Sequence, residues 1–117
     1  IAAVPTGLLL DSAATRYDPA KLSRERLAVR FDLADRKESA LVEANASVMI
    51  ARMEDAATTP DAVVTGPRRL VLGLLFLKQP LERMKAAGLS VEGDEDALAA
   101  LLAALDPMPA GFDIVTP

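Results

Sequence analysis

The clearest alternation of apolar and polar positions lies between Arg26 and Asp35. Leu27, Val29, Phe31 and Leu33 alternate with Arg26, Arg30 and Asp32, the period of a strand with one buried face and one wet face. Asp35-Arg36-Lys37-Glu38 follows as a polar turn. Glu38 to Asn45 and Ser47 to Asp55 read as two further strands, less cleanly alternating. Three sequential strands with short polar joints predict an antiparallel meander. The joint near Asn45-Ala46 lacks the glycine that suits a tight hairpin turn, because alanine resists positive φ.

Helical spacing accounts for most of the remainder. Leu9, Leu10, Ala13 and Ala14 recur at helical intervals, so Thr6 to Tyr17 is expected as a short helix, with Thr6 as its cap and Asp18-Pro19 as its stop. Asp61 to Thr65 is a short fourth strand. Gly66-Pro67 then opens a helix, with Pro67 expected at the first helical position. Leu70 to Leu77 is apolar on every side, so that helix needs cover all round. Gln79-Pro80 breaks it, and Leu81 to Ala87 makes a second helical piece stopped by Gly88. Leu89 to Glu92 alternates as a fifth strand. Asp94 caps a last helix whose first turn carries Glu95 and Asp96 and whose buried stripe is Ala97, Leu98, Leu101, Leu102 and Leu105. Asp106-Pro107 ends it, and Phe112 to Pro117 is an extended tail. With no internal repeat, the order predicts one α+β domain over residues 1–117: a five-stranded, mainly antiparallel sheet covered by helices.

Composition narrows the function classes. The 117 residues are 51% hydrophobic, and 13 basic against 17 acidic side chains give a net charge of −4. An acidic chain with three Phe, one Tyr and no Trp lacks the cationic footprint and stacking platforms of a nucleic-acid binder. The absence of His and Cys excludes imidazole or thiolate zinc sites, histidine bases, cysteine nucleophiles and disulfides in this chain. The run from Leu70 to Leu77 is far shorter than the ~20 residues of a membrane span. The first residues have no basic start and no long apolar stretch, so they do not resemble a signal peptide. The chain does not begin with Met, and a piece of a longer protein is expected. The compartment is not indicated.

Candidate chemistry is sparse. The acidic pairs Glu54-Asp55, Glu92-Asp94 and Glu95-Asp96 fall in turns and at element ends, not in the apolar niche that would split two carboxyl pKa values. Ser12, Ser23, Ser39, Ser47 and Ser90 have no histidine to activate them. No catalytic residue is assigned. The informative feature is apolar excess: Leu70, Leu74, Leu77, Leu81, Met84, Leu98, Leu101, Leu102, Met49 and Met53 either line a pocket for a flexible alkyl chain or fill a solid core. Arg68 and Arg69 stand in the first turn of the apolar helix. They either hold an anionic head group together with free backbone amides or project into solvent.

Asp61-Ala62-Val63-Val64-Thr65, the apolar helix, Gly88-Leu89-Ser90-Val91-Glu92-Gly93-Asp94 and the Ala/Leu helix together resemble the second half of the sterol carrier protein fold. Pro5-Thr6 through Leu10-Asp11, Ala14, Arg16 and Asp18-Pro19-Ala20-Lys21 resembles the opening of the C-terminal domain of bacterial alkyl sulfatases. Leu105-Asp106 and Phe112-Asp113-Ile114-Val115-Thr116-Pro117 resembles the way those enzymes finish. The resemblance implies a small antiparallel five-stranded sheet layered with helices around a lipid-binding tunnel. It implies a non-catalytic role, engaging the aliphatic part of a substrate. Zinc-dependent sulfate ester hydrolysis would belong to an upstream metallo-β-lactamase-type domain, leaving no cofactor here. The implied partners are an aliphatic or lipid-like small molecule and that upstream domain, with a dimer left open. A free-standing lipid carrier and a structural or assembly domain are the alternatives. Ala46, where the family often has glycine, and Gly66, in place of a side-chain cap, depart from the family pattern.

Overall fold

Alternation does set the central strand. In a computed structural model, which describes residues 6–53, 59–76 and 79–105, β1 (Arg26–Leu33) buries Leu27, Val29, Phe31 and Leu33 and leaves the residues between them half-buried. It pairs antiparallel with β2 (Glu38–Asn45), which pairs antiparallel with β3 (Met49–Met53). These three form the expected meander, although β1 stops two residues before Asp35. Residues 54 and 55, expected in the third strand, lie outside the described residues.

The two turns reach their geometry by different routes. In the β1–β2 turn the left-handed residue is Lys37, at φ 52°. Between β2 and β3 the side chain of Asn45 does the work: its Oδ1 accepts from the amides of Ser47 (2.8 Å) and Val48 (2.9 Å). That side-chain bridge imitates a backbone turn, so no glycine is required at Ala46.

The sheet order is β3-β2-β1-β4-β5. β4 (Ala62–Gly66) runs parallel to β1, and β5 (Ser90–Gly93) runs antiparallel to β4. One parallel pair within an otherwise antiparallel sheet makes it mixed. Asp61 locks that seam: its amide donates to the Ala28 carbonyl (2.7 Å) and its Oδ2 accepts from the Ala28 amide (2.8 Å). Its carbonyl accepts from the Asp94 amide (2.8 Å). Gly93, at φ +87°, brings its backbone so close that a Cβ would stand 2.6 Å from the Asp61 oxygen.

Four helices supply the cover. α1 (Thr6–Ala14) packs against β3, and its end is shorter than the expected Tyr17 because Asp18 caps a short 3-10 turn, Pro19–Lys21. α2 (Arg68–Phe76) and α4 (Glu95–Ala103) pack against β1 and β4, and α3 (Leu81–Ala86) packs against α2. The carbonyl of Pro67 accepts the first helical bonds from Leu70 and Val71, so Pro67 is the cap of α2 and not its first helical residue. The missing side-chain cap at Gly66 is replaced from a distance: Asp35 Oδ1 accepts from the Arg68 amide (2.9 Å). At α4 the expected cap holds, with Asp94 Oδ1 accepting from the Asp96 amide (3.0 Å). Residues 106–117, including the expected tail, lie outside the described residues. Among those described, no helix is long and apolar enough to cross a membrane.

Candidate functional site

The inner face of the sheet and the four helices enclose one apolar layer. Leu27, Val29, Phe31 and Leu33 of β1 and Ala40, Val42 and Ala44 of β2 form its floor. Leu70, Val71, Leu74, Leu75 and Phe76 of α2 and Leu98 and Leu101 of α4 form its roof. α2 is covered as its all-round apolarity requires: seven of its nine residues are buried, Leu72 is half-buried, and only Arg69 is exposed.

Of the residues expected to line a pocket, the structure brings Met49, Leu70, Leu74, Met84, Leu98 and Leu101 into this one cluster. Leu81 and Leu102 are partly buried against it. Met53 is set apart: it lies at the end of the edge strand and is 37% exposed, close to Ile50 and Val48 at 43% and 44%. Leu77 lies outside the described residues.

The two arginines part company. Arg69 is exposed, whereas Arg68 is 4% exposed. Burial, and next to it the charge of Arg36, holds the Arg68 guanidinium below its usual pKa, against the carboxylates of Glu38 and Asp35. An arginine stays charged through such a shift. The backbone amide that a ligand head group was expected to find is already bonded to Asp35, so the chain's own carboxylate takes one anion position at this helix start.

Two features had no counterpart in the sequence pattern. A cleft of about 300 Å³ opens at the far end of β1 and β2, lined by Arg26, Leu27, Ala28, Glu43, Ala44, Asn45, Thr59 and Asp61. Its residues come from three separate segments, so no local spacing announces it. On the outer face of the sheet, Arg30 Nε donates to Asp32 Oδ1 (2.8 Å), which also accepts from the Ser39 hydroxyl (2.7 Å). Burial pushes the Asp32 carboxyl up, but the Ser39 and Arg30 hydrogen bonds outweigh it and hold the group below the usual carboxylate range. Among the described residues, no group of three or more acidic side chains gathers to hold a metal ion.

Comparison with known proteins fits this geometry. A family model described as "Alkyl sulfatase C-terminal" matches residues 1–117. The chain belongs to that family. Its fold is similar to part of the stereoselective inverting sec-alkylsulfatase Pisa1 from a Pseudomonas species, with TM-score 0.81, 19% identity and 97% of this chain covered. A double mutant of that enzyme matches with TM-score 0.77. The alkyl sulfatase C-terminal chain spans only 18% of the Pisa1 chain. It is also similar to "UbiJ-SCP2 Ubiquinone synthesis protein", with TM-score 0.63, 16% identity, and 84% of this chain and 87% of that one covered. No curated protein matches it. The expected membership and the sterol carrier-like α+β fold therefore both hold, and the chain is an accessory C-terminal part; among the described residues no catalytic group is evident.

Proposed function

We propose that this chain binds the aliphatic part of a substrate as the C-terminal domain of an alkyl sulfatase-type hydrolase, with zinc chemistry residing in an upstream catalytic domain. The observation that carries the reading is the composition of the roof. A helix apolar on every side, together with α4 and Met84 of α3, faces a sheet that adds Met49, in a family named for alkyl sulfatases. Leucine and methionine walls adapt to a flexible hydrocarbon guest. A buried methylene is worth about 0.8 kcal/mol, so a short sequestered tail strengthens capture by several kcal/mol before ordering costs. Held beside a metal site, such a tail would position the ester and select its length.

Calorimetric titration with alkyl sulfates below their micelle concentrations tests this. Saturable binding is expected, with a negative heat-capacity change and a gain of about fourfold in affinity per added methylene. Heats that never saturate, for any chain length, would sink the proposal. A His-x-His-x-Asp-His motif in sequence upstream would separate the hydrolase reading from a free-standing lipid carrier.

A second reading rests on the edge strand. Val48, just before β3, and Ile50 and Met53 within it are large apolar side chains left exposed, and an assembly role would use them. In that case alkyl sulfates do not bind, and the chain associates through this edge.

A further inference from the structure

We infer that α3 is a lid over the apolar layer, kept shut by Met84 packed against α2 beside Gly73, and that an alkyl chain enters where it lifts. The inference rests on the alkyl-binding reading above, and its test separates the two.

The four covers are unequally anchored. Seven residues of α2 and four of α4 are buried, whereas Met84 is the single buried residue of α3. Leu81 is half-buried, and Glu82, Arg83 and Ala86 are exposed. Both ends of α3 suit a pivot. It starts at Pro80 with no side-chain cap. It ends in a tight turn in which the Gly88 amide donates to the Lys85 carbonyl and the Leu89 amide to the Met84 carbonyl, with Gly88 at φ +122°.

Between these ends lies one plug and one tether. A Cβ on Gly73 would stand in ordinary contact with Met84 Sδ, at 3.4 Å, and with Gln79 Cγ, at 3.6 Å, so the thioether packs close to α2 at this position. Methionine is unbranched and flexible, so the plug can leave and return by rotation of its own side chain. The tether is Lys85 Nζ, 2.8 Å from both carboxylate oxygens of Glu95 on the first turn of α4. Both restraints are side-chain contacts, weaker than the sheet-wide packing that holds α2 and α4.

The experiment combines native-state hydrogen exchange on the 117-residue chain with stopped-flow association of a dansylated undecanoate. The amides of Arg83, Met84, Ala87 and Leu89 are expected to exchange by local opening, at least tenfold faster than those of Leu98 and Leu101. Lys85→Ala, which removes the tether together with a 4.0 Å ion pair to Glu82 inside α3, should raise their exchange about threefold. Met84→Ala should raise it at least about thirtyfold. Association of the fatty acid should accelerate by the same factors. Where Met84→Ala does not fold, Lys85→Ala carries the comparison. If the α3 amides exchange only with global unfolding, the lid is overturned whether or not the fatty acid binds. If they open locally but association ignores Lys85→Ala, α3 is not the entry. If the wild-type chain binds no fatty acid, the alkyl-binding reading falls and the entry with it, while exchange still reports whether α3 opens.

Discussion

Phe31 and Asp32 are consecutive residues of β1, yet they belong to different kinds of surface. Phe31 points into the apolar layer and is 1% exposed. Asp32 points outward into a hydrogen-bonded group with Arg30 and Ser39 that water partly reaches. The inner face draws its stability from area removed from water, a contribution that involves no titrating group and no charge for salt to screen. The outer face depends on placed charges, and half-exposed pairs of that kind contribute little and are screened. One strand thus carries a floor that holds the fold and a surface that only trims it.

Truncation should expose the asymmetry at once. Phe31→Ala is expected to cost about 3–5 kcal/mol, read by urea unfolding. A loss below about 1 kcal/mol would mean that the layer collapses around the gap. An intermediate effect is expected where the two surfaces meet. Asp35 stands in the exposed turn beyond β1 but caps the buried helix, so Asp35→Ala should cost about 1 kcal/mol, with Asp35→Asn recovering most of it. Equal losses for both variants would show that the charge matters and not the cap.

The smallest effect belongs to Asp32→Asn, below about 1 kcal/mol near neutral pH. Its folded carboxyl lies below the ordinary range, so its contribution is present above the unfolded pKa of about 4 and is lost as pH falls through the lower folded value. Wild type and variant should therefore converge in acid and differ by a constant amount from about pH 5 upward. Divergence on the alkaline side would assign the effect to another group. Lys85 has the opposite sense: its bond to Glu95 raises its pKa, so on the alkaline side its contribution is fully present below the unfolded lysine value and is lost as pH rises through the folded one.

How much of this was legible depends on whether the cause is local. Leu27 to Leu33 and the apolar helix announce their burial in their own spacing, and so does the Asp94 cap. β2 reads less cleanly because Ala40, Leu41 and Val42 are all buried. Leu41 lies on the outer face opposite Arg30 and Arg52, whose long apolar stems can shelter such a residue. The parallel β1–β4 seam has no local signature, since it depends on a crossover bringing Asp61 back to Ala28. Arg68 and Arg69 read alike in sequence, because the burial of Arg68 follows from the fold around it and not from its neighbours in the chain. Met49 and Met53 share a face by period, but only the first comes to rest under cover.

The bond from Asp35 to the start of α2 also has a temporal side. A nine-residue helix is too short to persist alone in water, and this one is greasy on every side. Its start answers to a carboxylate placed 33 residues earlier, in a hairpin that leaves the ribosome first. The hairpin can therefore be waiting when the leucines emerge. That order gives the apolar stretch of α2 a docking point as soon as it is made.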